Sequence, residues 1–249
     1  MRILFTICGR AGSKGIKNKN IRNFVGKPLV YYSISIIDLY LKTKDKSIQY
    51  DIAVNSDSRE LLNLCSQNKL RKVEHIERKS ELASDDIPKI DVIADCLIKM
   101  IALKKCHYDV VIDLDITSPL RTVKDLDRVI EKHFFTNADV TTTITDARRN
   151  PYFNQVIKTT KGYIRAVSSN YTARQQAPEI FDMNASIYAY NPNFLMSQKG
   201  IFEGYCECVK MYDTGILDLD HENDFELMEV IGKYLFENKI EFAEIYNNI

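Results

Sequence analysis

The densest chemistry in the sequence follows its first apolar stretch. Gly9-Arg-Ala-Gly-Ser-Lys-Gly-Ile-Lys-Asn-Lys-Asn20 combines three glycines with four cationic side chains, Arg10, Lys14, Lys17 and Lys19. Bare backbone N–H groups beside ammonium and guanidinium groups are the chemistry of a polyphosphate cradle. Two common phosphate loops are excluded by spacing. Lys14 is followed by Gly15 where a Walker A loop carries Ser or Thr, and Gly9, Gly12 and Gly15 are each three apart, unlike a dinucleotide fingerprint. Read alone, the stretch is a phosphate-binding loop, with a flexible basic loop as the bland alternative.

The remaining candidates are acidic. Asp218 and Asp220 stand two apart, so on a strand both carboxylates share a face. Two carboxylates hold Mg²⁺ together with phosphates and waters; taken alone, such a pair is more often a solvated edge. Asp113 and Asp115 pose the same question. The histidines His75, His107, His133 and His221 show no catalytic spacing and read as structural or surface residues. Six cysteines form no CxxC, no zinc spacing and no disulfide framework, and Cys206 and Cys208 read as one face of a strand.

These groups need a scaffold. At 249 residues, 45% hydrophobic and 27% charged, the chain is an ordinary globular domain. Nine glycines and six prolines favour long helices and strands over a loop-rich all-β design. The apolar run 2–8 reads as a buried parallel strand, too short for a signal core or a membrane span, so a soluble cytoplasmic protein is expected. Pro28 opens a helix at its first position, carried by Leu29, Ile34, Ile37 and Leu41. The expected elements continue as strand 50–55, helix 59–68, strand 72–76, helix 88–105 and strand 108–115. Strands alternating with helices predict βαβ crossovers and a mostly parallel sheet with helices on both faces. After Thr141 the rhythm breaks into β-like pieces at 138–145, 163–167 and 183–190, read as an antiparallel lobe at about 141–191 over the sheet or against a second subunit. A helix at 223–238 closes one α/β domain spanning 1–249.

The zero net charge hides an asymmetry. The first 27 residues carry seven basic side chains and no acidic one, whereas from Asp213 onward ten acidic residues face Lys233 and Lys239. A basic end suggests an anionic ligand, and an acidic segment suggests a cation or a solvated helix face. Nucleic acid is disfavoured, because a neutral chain lacks its electrostatic footprint.

The whole string at 9–20 resembles the N-terminal signature of the CMP-sialic acid synthetase (acylneuraminate cytidylyltransferase) family, A-R-x-G-S-K-x-[IL]-x-x-K-N. Arg10, Gly12, Ser13, Lys14, Lys19 and Asn20 fall on it, with Gly9 in place of the usual Ala. Further stretches match in order. Asn55-Ser-Asp57 resembles [ST]-[ST]-D, and Arg78-Lys-Ser-Glu-Leu-Ala-Ser-Asp85 resembles R-P-x-x-L-A-x-D with Lys79 for Pro. Asp115-Ile-Thr-Ser-Pro-Leu-Arg121 resembles Q-P-T-S-P-L-R. Arg174-Gln-Gln-Ala-Pro178 and Asn184-Ala-Ser-Ile-Tyr188 resemble R-Q-x-x-P and N-G-[AS]-I-Y, and Asp218-Leu-Asp220 resembles the metal-binding D-I-D.

This resemblance implies a nucleotidyltransferase sandwich of three layers (GT-A-like, with a Rossmann-like sheet) carrying the inserted β lobe. It implies transfer of CMP from CTP to the anomeric hydroxyl of a nine-carbon acidic sugar, with Mg²⁺, or Mn²⁺ in its place, and a homodimer with no nucleic acid or membrane partner. Arg10 and Lys19 would hold the CTP phosphates, and Gly12, Ser13, Lys14, Asn20, Asn55, Asp57, Arg78 and Ser84 would complete the nucleotide site. Asp218 and Asp220 would hold the metal. Asp115, Thr117, Ser118, Phe153, Arg174, Gln175 and Tyr188 would meet the sugar, Arg174 meeting its carboxylate. Asp115-Ile116 for Gln-Pro, with Asn150-Pro-Tyr-Phe153 before the lobe, resembles the branch that activates legionaminic acid. CMP-pseudaminic acid and CMP-Kdo synthetases remain alternatives within the family. A glycosyltransferase and a non-catalytic nucleotide-binding paralogue remain alternatives outside it.

Overall fold

The computed structural model describes residues 1–12, 15–44, 48–84, 86–214 and 219–249. Strand β1 (Arg2–Cys8) leads through the loop at 9–20 to a short hairpin, β2 (Asn23–Phe24) and β3 (Lys27–Pro28), and to helix α1 (Leu29–Thr43). There follow β4 (Gln49–Ser56), α2 (Arg59–Ser66), β5 (Glu74–Glu77), α3 (Lys89–Lys104), β6 (Val110–Leu114), α4 (Val123–Thr136) and β7 (Val140–Asp146). A second hairpin, β8 (Val156–Thr159) and β9 (Gly162–Arg165), precedes β10 (Phe181–Tyr190) and the single turn α5 (Pro192–Leu195). Strand β11 (Cys206–Lys210) and helices α6 (Glu222–Asn238) and α7 (Ile240–Asn248) complete the order.

β1 carries apolar side chains on both faces, at every position but Arg2 and Thr6, so both faces must be covered. It accordingly lies inside a seven-stranded sheet of order β11-β7-β10-β6-β1-β4-β5. Every neighbouring pair is parallel except those made by β10, which runs antiparallel between β6 and β7. Alternation along β1 then sorts the two cores. Ile3, Phe5 and Ile7 face α1, α4, α6 and α7, while Leu4 and Cys8 face α3 and α5. This is the expected three-layer α/β sandwich. The strand order reverses between β1 and β6, and in open α/β sheets the crevice beyond the strand C-termini at such a point receives the ligand. The loops at 9–20 and 115–121 border that crevice.

Three differences from the sequence reading have physical causes. Helix α4, to which the sequence reading assigns no element, starts at a capping box in which the Thr122 hydroxyl accepts from Asp125 N–H and the Asp125 carboxylate accepts from Thr122 N–H. α7 was likewise unassigned. The strands at 140–146 and 181–190 belong to the central sheet and not to a lobe, so only 147–180, with β8 and β9 pairing each other, lies outside it. Along β10, Ile187 and Ala189 enter one core while Tyr188 and Tyr190 enter the other. Its alternation reflects a strand covered on both sides, which a peripheral strand mimics in sequence. Among the described residues no helix is long and apolar enough to cross a membrane.

One core group titrates in an accessible range. His133 on α4 is 4% exposed beside Thr141, and burial holds its pKa down to about 4. The unfolded chain, with an ordinary histidine near pKa 6.5, therefore binds more protons between those values, and folding stability falls as pH drops through that window. By pH 4.5 this group alone should cost about 2 kcal/mol relative to pH 7. Urea unfolding of wild type and His133→Gln at both pH values should show a smaller acid loss in the variant. Equal losses would place the sensitivity elsewhere.

Candidate active site

A cleft of about 410 Å³ opens beyond the C-termini of β1, β4 and β6. Its lining brings together Arg10, Lys19, Arg78 and Lys89 with the carboxylates of Asp115 and Asp220, and with Gly9, Gly15, Asn20, Ser84 and Thr117. Of the sequence candidates this places Arg10, Lys19, Asn20, Arg78, Ser84, Asp115, Thr117 and Asp220 around one space. Ser13, Lys14 and Asp218 lie outside the described residues, and Gly12 borders a smaller recess beside Ser58 and Glu60.

The basic loop is braced by polar residues that themselves need not touch a ligand. Gly9 N–H donates to Asn55 O at 3.1 Å, Ala11 N–H donates to Asp57 Oδ1 at 2.8 Å, and Asn20 Nδ2 donates to Arg10 O at 3.0 Å. A Cβ at Gly9 would stand 2.5 Å from Leu61 Cδ2 and 2.8 Å from Ile116 Cδ1, so an alanine there would have to displace the ends of both side chains. Asn55 also serves a second cation. Arg78 follows β5, is 8% exposed, and donates from Nε to Asn55 Oδ1 at 2.8 Å and from Nη2 to Asn55 O at 3.2 Å. The guanidinium is thus aimed before any ligand arrives.

The acidic segment closes the far side. Lys19 Nζ donates to Leu219 O and stands 3.5 Å from Asp220 Oδ1. Arg22 pairs with Glu222 at 2.6 Å and lies 4.0 Å over the Phe225 ring, and Val25 N–H donates to Glu229. The two halves of the charge asymmetry therefore meet each other. Asp220 keeps 65% of its side chain exposed at the cleft, a hard oxygen donor beside a phosphate-type cradle, which suits Mg²⁺ held by one or two carboxylates plus phosphates.

The cleft floor holds a group that the sequence reading missed. Lys89, the first residue of α3, stands 2.7 Å from Asp113 Oδ2 and 2.6 Å from Asp115 Oδ2. Asp113 is wholly buried and accepts from Thr6 Oγ1 at 2.8 Å; Asp115 Oδ1 accepts from both Thr117 N–H and Thr117 Oγ1 at 2.9 Å. Burial disfavours charge on Lys89 and on Asp115, but pairing wins. The two carboxylates hold the ammonium well above the ordinary lysine range, and Lys89 with Thr117 brings Asp115 down to about 2. Behind them Arg121, 1% exposed, donates to Ser186 O and to Ser33, and its burial lowers its pKa to about 10. A sequence signal for Lys89 existed: a lysine directly after Pro88 at a helix start opposes the helix dipole, a local violation that asks for a reason.

The other sugar candidates divide. Tyr188 is half-buried on β10, stacked on Tyr190 at 5.8 Å; burial raises its phenol pKa while Lys89 opposes the rise. Ser118 is buried and outside the cleft lining. Phe153, Arg174 and Gln175 belong to the 147–180 segment. Exposed Arg174 donates to Ala147 O at 3.4 Å and borders a separate cavity of about 560 Å³ with Arg149, Asn150 and Lys210.

A family model described as cytidylyltransferase matches residues 4–242. Post-translational flagellin modification protein B of Campylobacter coli is 35% identical over 231 residues, 93% of this chain and 95% of that protein. CMP-N,N'-diacetyllegionaminic acid synthase of Campylobacter jejuni is 32% identical over 92% of this chain and 94% of that protein. A solved structure of CMP:2-keto-3-deoxy-manno-octonic acid synthetase complexed with CTP shares the fold at 14% identity, with a TM-score of 0.62, covering 94% of this chain and 99% of that one.

The tightest joint of the site is testable. A Cβ at Gly15 would fall 1.8 Å from Asp220 O, so the basic loop and the acidic segment touch backbone to backbone there. Gly15→Ala must push them apart, moving Lys19 and Asp220 relative to each other. Turnover should fall ~10²-fold, the scale expected when catalytic groups shift by about an ångström, with an unchanged circular dichroism spectrum. Wild-type turnover in this variant would show that the contact does not set the site.

Proposed function

We propose that this chain, which belongs to the cytidylyltransferase family and is a CTP-dependent nucleotidyltransferase, transfers CMP from CTP to the anomeric hydroxyl of a nonulosonic acid and releases pyrophosphate. The acid is of legionaminic or sialic type. One observation carries the reading: four cations from three stretches of chain converge on a single cleft beside an exposed carboxylate. Such an arrangement offsets the charge of a nucleoside triphosphate and its metal, more than a neutral ligand requires. The name of the Campylobacter jejuni relative, and Asp115 in the cleft followed by the buried Ile116, favour legionaminic acid.

The residues then take definite tasks. The anomeric oxygen attacks the α-phosphorus in line as the bond to the β-phosphate oxygen breaks, and the electron pair leaves with pyrophosphate. Such transfers are catalysed mainly by positioning and charge neutralisation. Arg10 and Lys19 bind the triphosphate and stabilise the departing charge. Gly12, Ser13, Lys14 and Asn20 shape the loop around the phosphates. Arg78, held by Asn55, and Ser84 face the nucleoside end, and Asp57 keeps the loop in register. Asp115, Thr117 and Tyr188 border the sugar, with Ser118 supporting them from within the core. Asp218 and Asp220 would hold Mg²⁺, which when bound supplies further charge neutralisation on the phosphates. In this reading 1–249 is one domain, and the segment carrying Phe153, Arg174 and Gln175 serves the sugar carboxylate and a homodimer contact.

The experiment is pyrophosphate release with CTP, ATP and GTP against legionaminic, sialic, pseudaminic and 3-deoxy-octulosonic acids. Buried groups that bond a base edge penalise analogues strongly, so CTP should lead by ~10²-fold or more in kcat/KM. Comparable turnover with ATP would remove the cytidylyl assignment, and a better pseudaminic or octulosonic acceptor would move the sugar. CTP binding without pyrophosphate from any acid would favour the non-catalytic paralogue.

A second measurement concerns Asp220. Asp220→Asn removes one charge with little change of shape, and kcat should fall ~10²-fold, as when a charge clamp on a transferring phosphoryl group is lost. Near-normal turnover would return Asp220 to a solvated edge.

A further inference from the structure

Lys89 is fixed more firmly than a cleft lysine needs to be for charge alone. Its partners are anchored from behind: Asp113 by Thr6 on β1, Asp115 by the backbone and hydroxyl of Thr117. Two short contacts, 2.7 and 2.6 Å, set the place of Nζ. An ammonium carries three N–H donors. Among the described residues, Nζ donates to Asp115 Oδ2 and stands in an ion pair with Asp113 Oδ2, the only acceptors close to it, which leaves at least one donor over. The exposures say where it points. Asp113 is 0% exposed and Asp115 18%, while Lys89 keeps 34% of its side chain exposed and lines the cleft. With buried Arg121 behind the carboxylates the cluster is neutral overall, and the charge it exposes most to the cleft is the ammonium.

Its position is also particular. β1 and β6 leave the sheet side by side, one into the basic loop and the other into Asp115 and Thr117. Lys89 stands at their junction, between the region that holds phosphates and the region that holds the sugar. In a cytidylyl transfer the atom at that junction is the α-phosphorus.

We propose that Lys89 is a further catalytic residue of this cleft, giving its third N–H to a non-bridging oxygen of the nucleotide α-phosphate. The proposal rests on the cytidylyl-transfer reading above. Lys89 moves no proton. As the new oxygen–phosphorus bond forms and the bond to pyrophosphate breaks, the hydroxyl proton passes to water and the ammonium stays in place against the crowded phosphoryl oxygens.

Lys89→Met alone would leave two buried carboxylates facing each other and endanger folding. The decisive variant is therefore Lys89→Met with Asp113→Asn, which removes one charge of each sign and keeps an acceptor for Thr6. Cytidine and CMP are titrated into wild type and double variant by calorimetry, and pyrophosphate release is measured with CTP and the best acid. Loss of one charge-assisted contact to the α-phosphate should weaken CMP by ~10-fold and leave cytidine unchanged. Turnover should fall ~10²-fold or more, with the KM for the sugar within about threefold, because a preorganised donor acts mainly on the transition state. Equal CMP affinity in the two proteins, or turnover of the double variant within about threefold of wild type, would reduce Lys89 to a balancing charge and overturn the proposal. A raised sugar KM with unchanged CMP binding would also overturn it, by placing the ammonium on the sugar carboxylate. Should wild type release no pyrophosphate with any acid, the transfer reading fails, and the CMP arm still decides whether Lys89 meets an α-phosphate.

Discussion

Four cations must share one cleft when no ligand is present, and the local structure around the site answers to that requirement. Two unit charges about 8 Å apart repel by about 2 kcal/mol at an effective dielectric near 20. Lys19, Arg78 and Lys89 are tethered to acceptors that the fold brings in from elsewhere. Lys19 is tied to Leu219 O and Asp220, Arg78 to both oxygens of Asn55, and Lys89 to Asp113 and Asp115. The tethers offset the repulsion and also aim the groups. A triphosphate then meets donors already in place, which lowers the reorganisation that binding and reaction would otherwise demand.

Those acceptors explain the topology around the cleft. Parallel pairing of β1 with β6 sets Thr6 opposite Asp113, so the floor of the site is built by two strands far apart in sequence. Pairing of β1 with β4 puts Asn55 opposite Cys8, where it can receive Gly9 on one side and Arg78 on the other. The acidic stretch before α6 is held against the basic loop by Arg22 with Glu222, by Val25 with Glu229, and by the close approach of Gly15 to Asp220. The charge asymmetry of the sequence is thus an intramolecular match as well as a signal for an anionic ligand.

Much of this was legible beforehand, for reasons that can be named. Largely apolar runs such as 2–8, and Val110-Val-Ile-Asp-Leu114 within 108–115, announce buried parallel strands, and the glycine and lysine pattern at 9–20 announces a phosphate loop by composition alone. For Lys89 the sequence offered only an anomaly, a lysine at a helix start, because its meaning depends on Asp113 and Asp115, 24 and 26 residues downstream, which no local pattern connects to it. α4 was available in its capping box and in Leu126, Val129, Ile130 and His133 at helical spacing, but it interrupts a run of strands that invites a β reading. The alternation along β10 marks a strand but not its layer, since it reports two different environments without saying which, and the strand lies in the central sheet and not in the lobe. Arg174, drawn to the sugar by resemblance, stands on the segment outside the sheet, beside another cavity of the same chain.

The floor of the cleft joins the resemblance to the electrostatics. Where the sialic-acid pattern carries Gln-Pro, this chain carries Asp115-Ile116, and a carboxylate facing a triphosphate and an acidic sugar would repel both. Lys89 removes that objection. Paired at 2.6 Å and backed by Thr117, Asp115 stays ionised and oriented, yet the group most exposed to the ligands at that point is an ammonium. The two residues therefore act as one unit. Asp115 without Lys89 would oppose anionic substrates, and Lys89 without its carboxylates would lack the anchor that sets Nζ in place. Asp113, buried behind them and bonded to Thr6, transmits the position of the central strand pair to that unit. A change of charge at this floor thus calls for a matching change in the core beneath it, at the buried Asp113 of β6.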